Sequence, residues 1–145
     1  MASPSTPGSR LRPPRVVVDT SVVSYILKGH SLAPWYSDLL QGRLVGLSFM
    51  SQAELHRWPL ERAWGEKRVL ELRELLVRYV VLFPNNETCR EWARIMSRKG
   101  KPIDASDAWI AATAVQHRCP LVTHNPRHFQ GIGQLEVLTA PAEAP

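Results

Sequence analysis

Five short runs rich in β-branched residues alternate with longer helical segments, and this alternation narrows the fold more than any other feature. The runs are "RVVVDT" (15–20), "LVGLSF" (44–49), "VVLFP" (80–84), "PLVTHN" (120–125) and "LEVLT" (135–139). Each reads as a strand, the last as an edge strand. Between them, "SVVSYILKG" is helical and stops at Gly29, and "WYSDLLQGR" is a short amphipathic helix. "SQAELHRWPLERAW" is a helix interrupted or kinked near Pro59. In "GEKRVLELRELLVRY", Val69, Leu72, Leu75 and Leu76 fall at helical spacing. "NETCREWARIMSRKG" is a helix capped by Asn85 or Asn86 and stopped by Gly100, and "SDAWIAATAVQHR" is the last helix. Strands alternating with helices predict an α/β class: a central, mostly parallel β-sheet flanked by α-helices on both faces.

At 145 residues the chain is long enough for one such domain with an ordinary core. Residues 1–14, rich in Pro, Ser, Gly and Arg, read as a disordered arm, 15–139 as the domain, and 140–145 as a tail. The arm has no apolar segment of a secretory signal, and no apolar run approaches 18 residues. Cys89 and Cys119 are isolated, with no metal-binding spacing, so they read as reduced thiols. Together these features exclude a membrane span and a disulfide scaffold, and they point to the cytoplasm. Lys and Arg outnumber Asp and Glu by 18 to 13, a formal charge of +5 that suits a polyanionic partner.

Ligands of open parallel sheets bind beyond the carboxyl ends of the strands. Asp19 leaves the first strand there and Asn125 leaves "LVTH". Glu54 lies near the start of the helix after the second strand, and Asp104 and Asp107 open the alanine-rich helix. Convergence of Asp19, Glu54, Asp107 and Asn125 would crowd carboxylates that cannot all stay ionised without a counter-charge. A hard divalent cation supplies that charge, and oxygen-only ligands suit Mg²⁺ or Mn²⁺ better than Zn²⁺. His124 and His128 are four apart, but the intervening Pro126 denies the helix that would align them on zinc. Each residue also has a plainer use. Asp104 is a natural N-cap, Asp107 complements a helix dipole, Glu54 suits a solvated helix face, and Asn125 suits a turn before proline.

The stretches "VVVDTSVVSYIL", "SQAELHRW", "PIDASDAWIAATA" and "LVTHNPRHF" resemble those of PIN-domain ribonucleases, specifically the VapC-type toxins of prokaryotic toxin–antitoxin pairs. The resemblance covers about residues 15–138. It implies that Asp19, Glu54 and Asp107 are acidic metal ligands or their supports. Asn125 falls where many members carry a fourth acid, and as a neutral amide it would orient a water or ligand. Asp104 is a common second acid of the motif, and Thr20 and Thr123 lie where they could bond a carboxylate or phosphate. The implied activity is Mg²⁺-dependent endoribonuclease cleavage of tRNA or rRNA, with Mn²⁺ able to substitute, leaving a 5′-phosphate and a 3′-hydroxyl and inhibiting translation. Implied partners are the RNA, a cognate antitoxin that lays an apolar segment across the toxin and inserts an arginine among the carboxylates, and a second copy of the chain.

"SRKGKP" adjoins the acidic helix, so Arg98, Lys99 and Lys101, with Arg127 nearby, are candidate phosphate contacts. Trp58, Trp64 and Trp109 could stack on bases or meet a protein, although core packing suits Trp109. Three rival readings remain. A phosphohydrolase with an aspartyl nucleophile fits "VVVDTS" only loosely, because its usual second aspartate is Ser21 here. A catalytically silent RNA- or protein-binding module and a PIN nuclease of RNA maturation share the fold.

Overall fold

The computed structural model describes residues 14–142. Its elements run in the order β1 (Arg15–Val18), α1 (Thr20–Lys28), α2 (Ala33–Leu40), β2 (Leu44–Ser48), α3 (Phe49–Glu61), α4 (Glu66–Leu76), β3 (Val80–Leu82), α5 (Asn86–Met96), α6 (Ala105–Gln116), β4 (Leu121–Val122) and β5 (Val137–Leu138). A short 3₁₀ turn, Pro126–Phe129, separates the last two strands. The five strands form one sheet in the order β3-β2-β1-β4-β5, and every neighbouring pair is parallel. The expected mostly parallel sheet is therefore wholly parallel.

β1 is central and covered on both faces, which is why it reads as an unbroken valine run instead of an alternating one. Val16 and Val18 face a core built with Val22, Val23, Tyr36, Leu40, Leu55 and Leu72 from α1 to α4. Val17 faces the opposite core, made with Ile95 of α5, the alanines of α6, Phe129 and Ile132. α6 is buried from Ala108 through Ala114 except at Trp109, so small side chains let it lie close between α5 and the sheet.

Local signals explain the helix ends. Gly29 closes α1 in the left-handed conformation (φ 64°), its N–H donating to the Ile26 carbonyl. Asn85 is the α5 cap: its Oδ1 accepts from Thr88 N while Thr88 Oγ1 accepts from Asn85 N, both at 3.0 Å. Gln116 Nε2 also donates to Asn85 Oδ1 at 2.9 Å, tying the start of α5 to the end of α6.

The structure departs from the sequence expectation in four places. α5 ends at Met96, not at Gly100, with Ser97 as its C-cap, and the Arg98 side chain beyond it donates to the Gln130 carbonyl. α3 is uninterrupted at Pro59 but ends at Glu61, short of Trp64. β4 is shorter than "PLVTHN", although Thr123 N still donates to the Leu138 carbonyl. Packing extends through Ala140, which is buried and whose N–H donates to the Tyr36 hydroxyl. The arm expected over residues 1–14 and the end of the 140–145 tail lie largely outside the described residues. Among those residues no helix is long and apolar enough to cross a membrane, and both cysteines are free.

Candidate active site

Asp19 follows the last residue of β1 and is only 5% exposed. It occupies the N-cap position of α1, yet its side chain makes no capping bond. Instead its Oδ2 accepts hydrogen bonds from Thr123 Oγ1 (2.6 Å) and Ser21 Oγ (2.9 Å). Burial pushes the Asp19 pKa upward, and the two hydroxyls oppose that rise. The supports are themselves held. Thr123 Oγ1 accepts from Asn125 N at 3.0 Å, and Ser21 Oγ accepts from His124 N at 3.2 Å. The loop leaving β4 is thus fastened to the residues leaving β1.

Glu54 reaches the same rim from α3. Its pKa is pushed up to about 7, first by burial and then by the charges of Asp19 and Asp107. Buried Thr20 donates to Ser51 Oγ at 2.8 Å, and its position beside the Glu54 carboxylate works against that rise. Asp107, in the first turn of α6, is raised by burial and by Asp19, with a further push from Asp104. Its Oδ2 lies 3.2 Å from His128 Nδ1, whose charge when protonated opposes those effects. The three carboxylates therefore share one field, with little cationic charge among them.

Asp104 takes the N-cap position of α6, but its side chain makes no capping bond, and only its carbonyl is used, by Ala108 N at 2.9 Å. Asn125 is exposed at the head of the 3₁₀ turn, again without a side-chain cap. Of the four basic candidates, half-buried Arg98 and exposed Lys101 both donate to main-chain carbonyls, and Lys99 and Arg127 are exposed. Trp109 stacks on Trp92 with centroids 5.0 Å apart, and Arg62 and Arg68 cover Trp58 and Trp64.

Ser21, Ser51 and His128 escaped the sequence reading as site residues. Ser21 was legible only as the residue two places after Asp19. His128 was weighed only as a partner of His124, and the link to Asp107 depends on packing the 3₁₀ turn against α6.

Among the described residues no three His, Cys, Asp or Glu side chains are gathered closely enough to hold an ion by themselves. Asp19 and Asp107 are near enough to raise the Glu54 pKa, and Asp19 that of Asp107, but the carboxylates do not form a closed cage. That openness suits Mg²⁺, which keeps several waters and takes only one or two carboxylates, completing its shell with substrate phosphates. It does not suit a structural zinc ion.

The PIN domain family model matches residues 16–134. Ribonuclease VapC1 of Haemophilus influenzae (strain R2866) is 31% identical over 125 residues, covering 83% of this chain and 93% of that protein. The chain belongs to the PIN-domain family, in its VapC branch. The structure of VapBC-1 from nontypeable Haemophilus influenzae superposes with a TM-score of 0.72 at 29% identity, over 86% of this chain and 97% of that one. VapBC2 from Rickettsia felis, bound to a DNA fragment from its promoter, gives a TM-score of 0.77 over 88% and 99% of the two chains. At 20% identity the second likeness speaks for the fold alone. In this PIN domain the sheet rim, with Asp19, Glu54 and Asp107, is where the sequence resemblance puts the acidic centre.

Proposed function

We propose that this VapC-branch chain is a divalent-metal-dependent endoribonuclease and the toxin of a toxin–antitoxin pair, cutting tRNA or rRNA. The observation that carries the proposal is the gathering of Asp19, Glu54 and Asp107 at one sheet rim, with only His128 and Arg57 as nearby counter-charge. Asp19 and Asp107 would hold Mg²⁺ or Mn²⁺, with Glu54 as a third carboxylate. Such an ion, when bound, supplies positive charge to the phosphoryl oxygens and lowers the pKa of water at the site.

The chain's own residues set the rest. Thr123 and Ser21 hold the Asp19 carboxylate in one orientation, so that it meets cation and RNA without reorganising. Glu54, whose pKa is pushed up to about 7 by burial and the neighbouring acids, would be held ionised by such a cation. Asn125, neutral and exposed, is placed to orient a water or a phosphate oxygen without adding charge. Asp104 contributes to the same field from the edge. Lys99 and Arg127 face solvent beside the site and would contact the RNA backbone.

The partner reading follows from the 29% identical relative from nontypeable Haemophilus influenzae, whose solved structure is of VapBC-1. A cognate antitoxin is proposed to cover apolar surface and to place a guanidinium among the carboxylates, replacing the metal's charge. Association into a homodimer and a cytoplasmic setting belong to the same proposal.

The test is incubation of purified, antitoxin-free protein with total tRNA and rRNA, in Mg²⁺, in Mn²⁺ and in EDTA, beside Asp107→Asn. Discrete cuts that need metal and are absent from the variant are expected. Failure to cut under either metal by folded protein that still binds RNA or a protein partner would replace the nuclease with a silent binding module. Equal cutting by the variant would move the site elsewhere.

A further inference from the structure

Two irregular segments carry much of the acidic centre. Residues 97–104 deliver the start of α6 and so Asp104 and Asp107, and residues 125–131 carry Asn125 and His128. Neither belongs to the sheet, and nothing in the local sequence of either sets the distance between them.

We propose that Arg98 and Lys101 are positioning residues that clamp these two segments together, rather than phosphate contacts. Arg98 Nη1 donates to the Gln130 carbonyl at 2.7 Å, and Arg98 Nη2 donates to the Lys101 carbonyl at 3.2 Å, folding its own loop. Lys101 Nζ donates to the Arg127 carbonyl at 2.8 Å. The Asp107–His128 contact of 3.2 Å crosses the same junction. One guanidinium and one ammonium thus tie the α5–α6 loop to both ends of the 3₁₀ turn.

Two further observations show that this is a built contact. Arg98 Nε is buried with no hydrogen-bond partner, so the guanidinium is pressed into the protein instead of extended to solvent. Gly131 makes room for it. The residue has φ +76°, and a Cβ there would lie 3.2 Å from Arg98 Nη1. Charge-assisted bonds to carbonyls are stronger than neutral ones, and the rigid fork of Arg reaches two carbonyls at once in a way a lysine does not. Phe129 and Ile132 anchor the second segment in the core on their own, so loss of the clamp is expected to loosen the site without unfolding the domain.

The inference rests on the nuclease reading for its kinetic readouts only, because hydrogen exchange reports the clamp without metal or RNA. Arg98→Met, Lys101→Met and Arg98→Lys are compared with the parent protein. The amides followed are those of His128, bonded to Asn125 O, and Ala108, bonded to Asp104 O. Both Met variants are expected to melt cooperatively and to exchange these amides about tenfold faster. With RNA, kcat is expected to fall about 10–100-fold, the range seen when the supports of metal ligands are removed. KM and the salt dependence of RNA binding are expected to stay unchanged, and Arg98→Lys recovers only part of kcat. Mn²⁺ titration is expected to show weaker binding in both Met variants.

The proposal is overturned if exchange is unchanged while the slope of RNA affinity against salt drops by about one phosphate contact, the behaviour of a residue that grips the backbone. It is equally overturned if neither exchange nor kcat changes. Should Arg98→Met fail to fold, Lys101→Met decides by the same readouts. Should the parent protein neither cut RNA nor bind Mn²⁺, the nuclease reading falls, and the exchange rates alone judge the clamp.

Discussion

At the scale of single residues, the centre is a set of acids held where ionising them is unfavourable. The pKa values of Asp19, Glu54 and Asp107 all rise in the fold. Such a group still holds its proton in the folded chain over a pH range where the unfolded chain has lost it. Stability is therefore fully present below the unfolded value and declines as pH climbs. For Glu54 the window runs from its ordinary 4.5 to about 7. A divalent ion relieves the repulsion only where the carboxylates are ionised. Mg²⁺ is expected to raise the melting temperature more at pH 8 than at pH 5, and an equal rise at both would argue against binding by these acids. Thr123→Val removes a donor from Asp19 while nearly keeping its shape. It is expected to weaken Mn²⁺ binding about 10–100-fold, which calorimetric titration would detect. Asp107→Asn removes a proposed ligand outright and is expected to lower the cleavage rate by more than about 100-fold, beyond the cost of losing a support.

At the scale of elements, α2 contributes a residue whose role no local pattern announces. Tyr36 is fully buried, and its hydroxyl meets His124 Nδ1 at 2.6 Å while accepting from Ala140 N at 3.2 Å. It thereby fastens the loop after β4 to the end of the chain's packed region, 88 and 104 residues away in sequence. Tyr36→Phe keeps the ring and strands both partners. A loss of about 1–3 kcal/mol in urea unfolding is expected, the usual penalty for unsatisfied buried polar groups. The sequence did reveal the caps that act locally: Gly29 ends α1, and Asn85 begins α5. It misplaced the end of α5, which stops at Met96, four residues before the glycine that local pattern offers as the stop.

For the whole molecule, the +5 charge is the average of very different faces. The rim of the sheet is acidic, so the proposed RNA contacts would fall to basic residues around it, Lys99 and Arg127 among them. RNA affinity is expected to fall as salt rises, with a slope of about −0.7 for each single-strand phosphate contacted. Lys99→Ala and Arg127→Ala should each make that slope shallower by about one contact. An unaltered slope in a filter-binding series would remove them from the interface. The alternation of strand and helix and the polar residues at strand exits were enough to read a parallel α/β domain and to nominate Asp19, Glu54, Asp107 and Asn125. Those features depend on periodicity and on strand ends, which neighbouring residues set by themselves. The resemblance offered Thr20 and Thr123 as possible partners of a carboxylate, but that Thr123 and Ser21 are the hydroxyls on Asp19, and how His128 comes to face Asp107, were decided only by tertiary structure. Thr123 reaches Asp19 across 104 residues of chain, and contacts of that span arise from packing the sheet and its two layers of helices, where no local pattern records them.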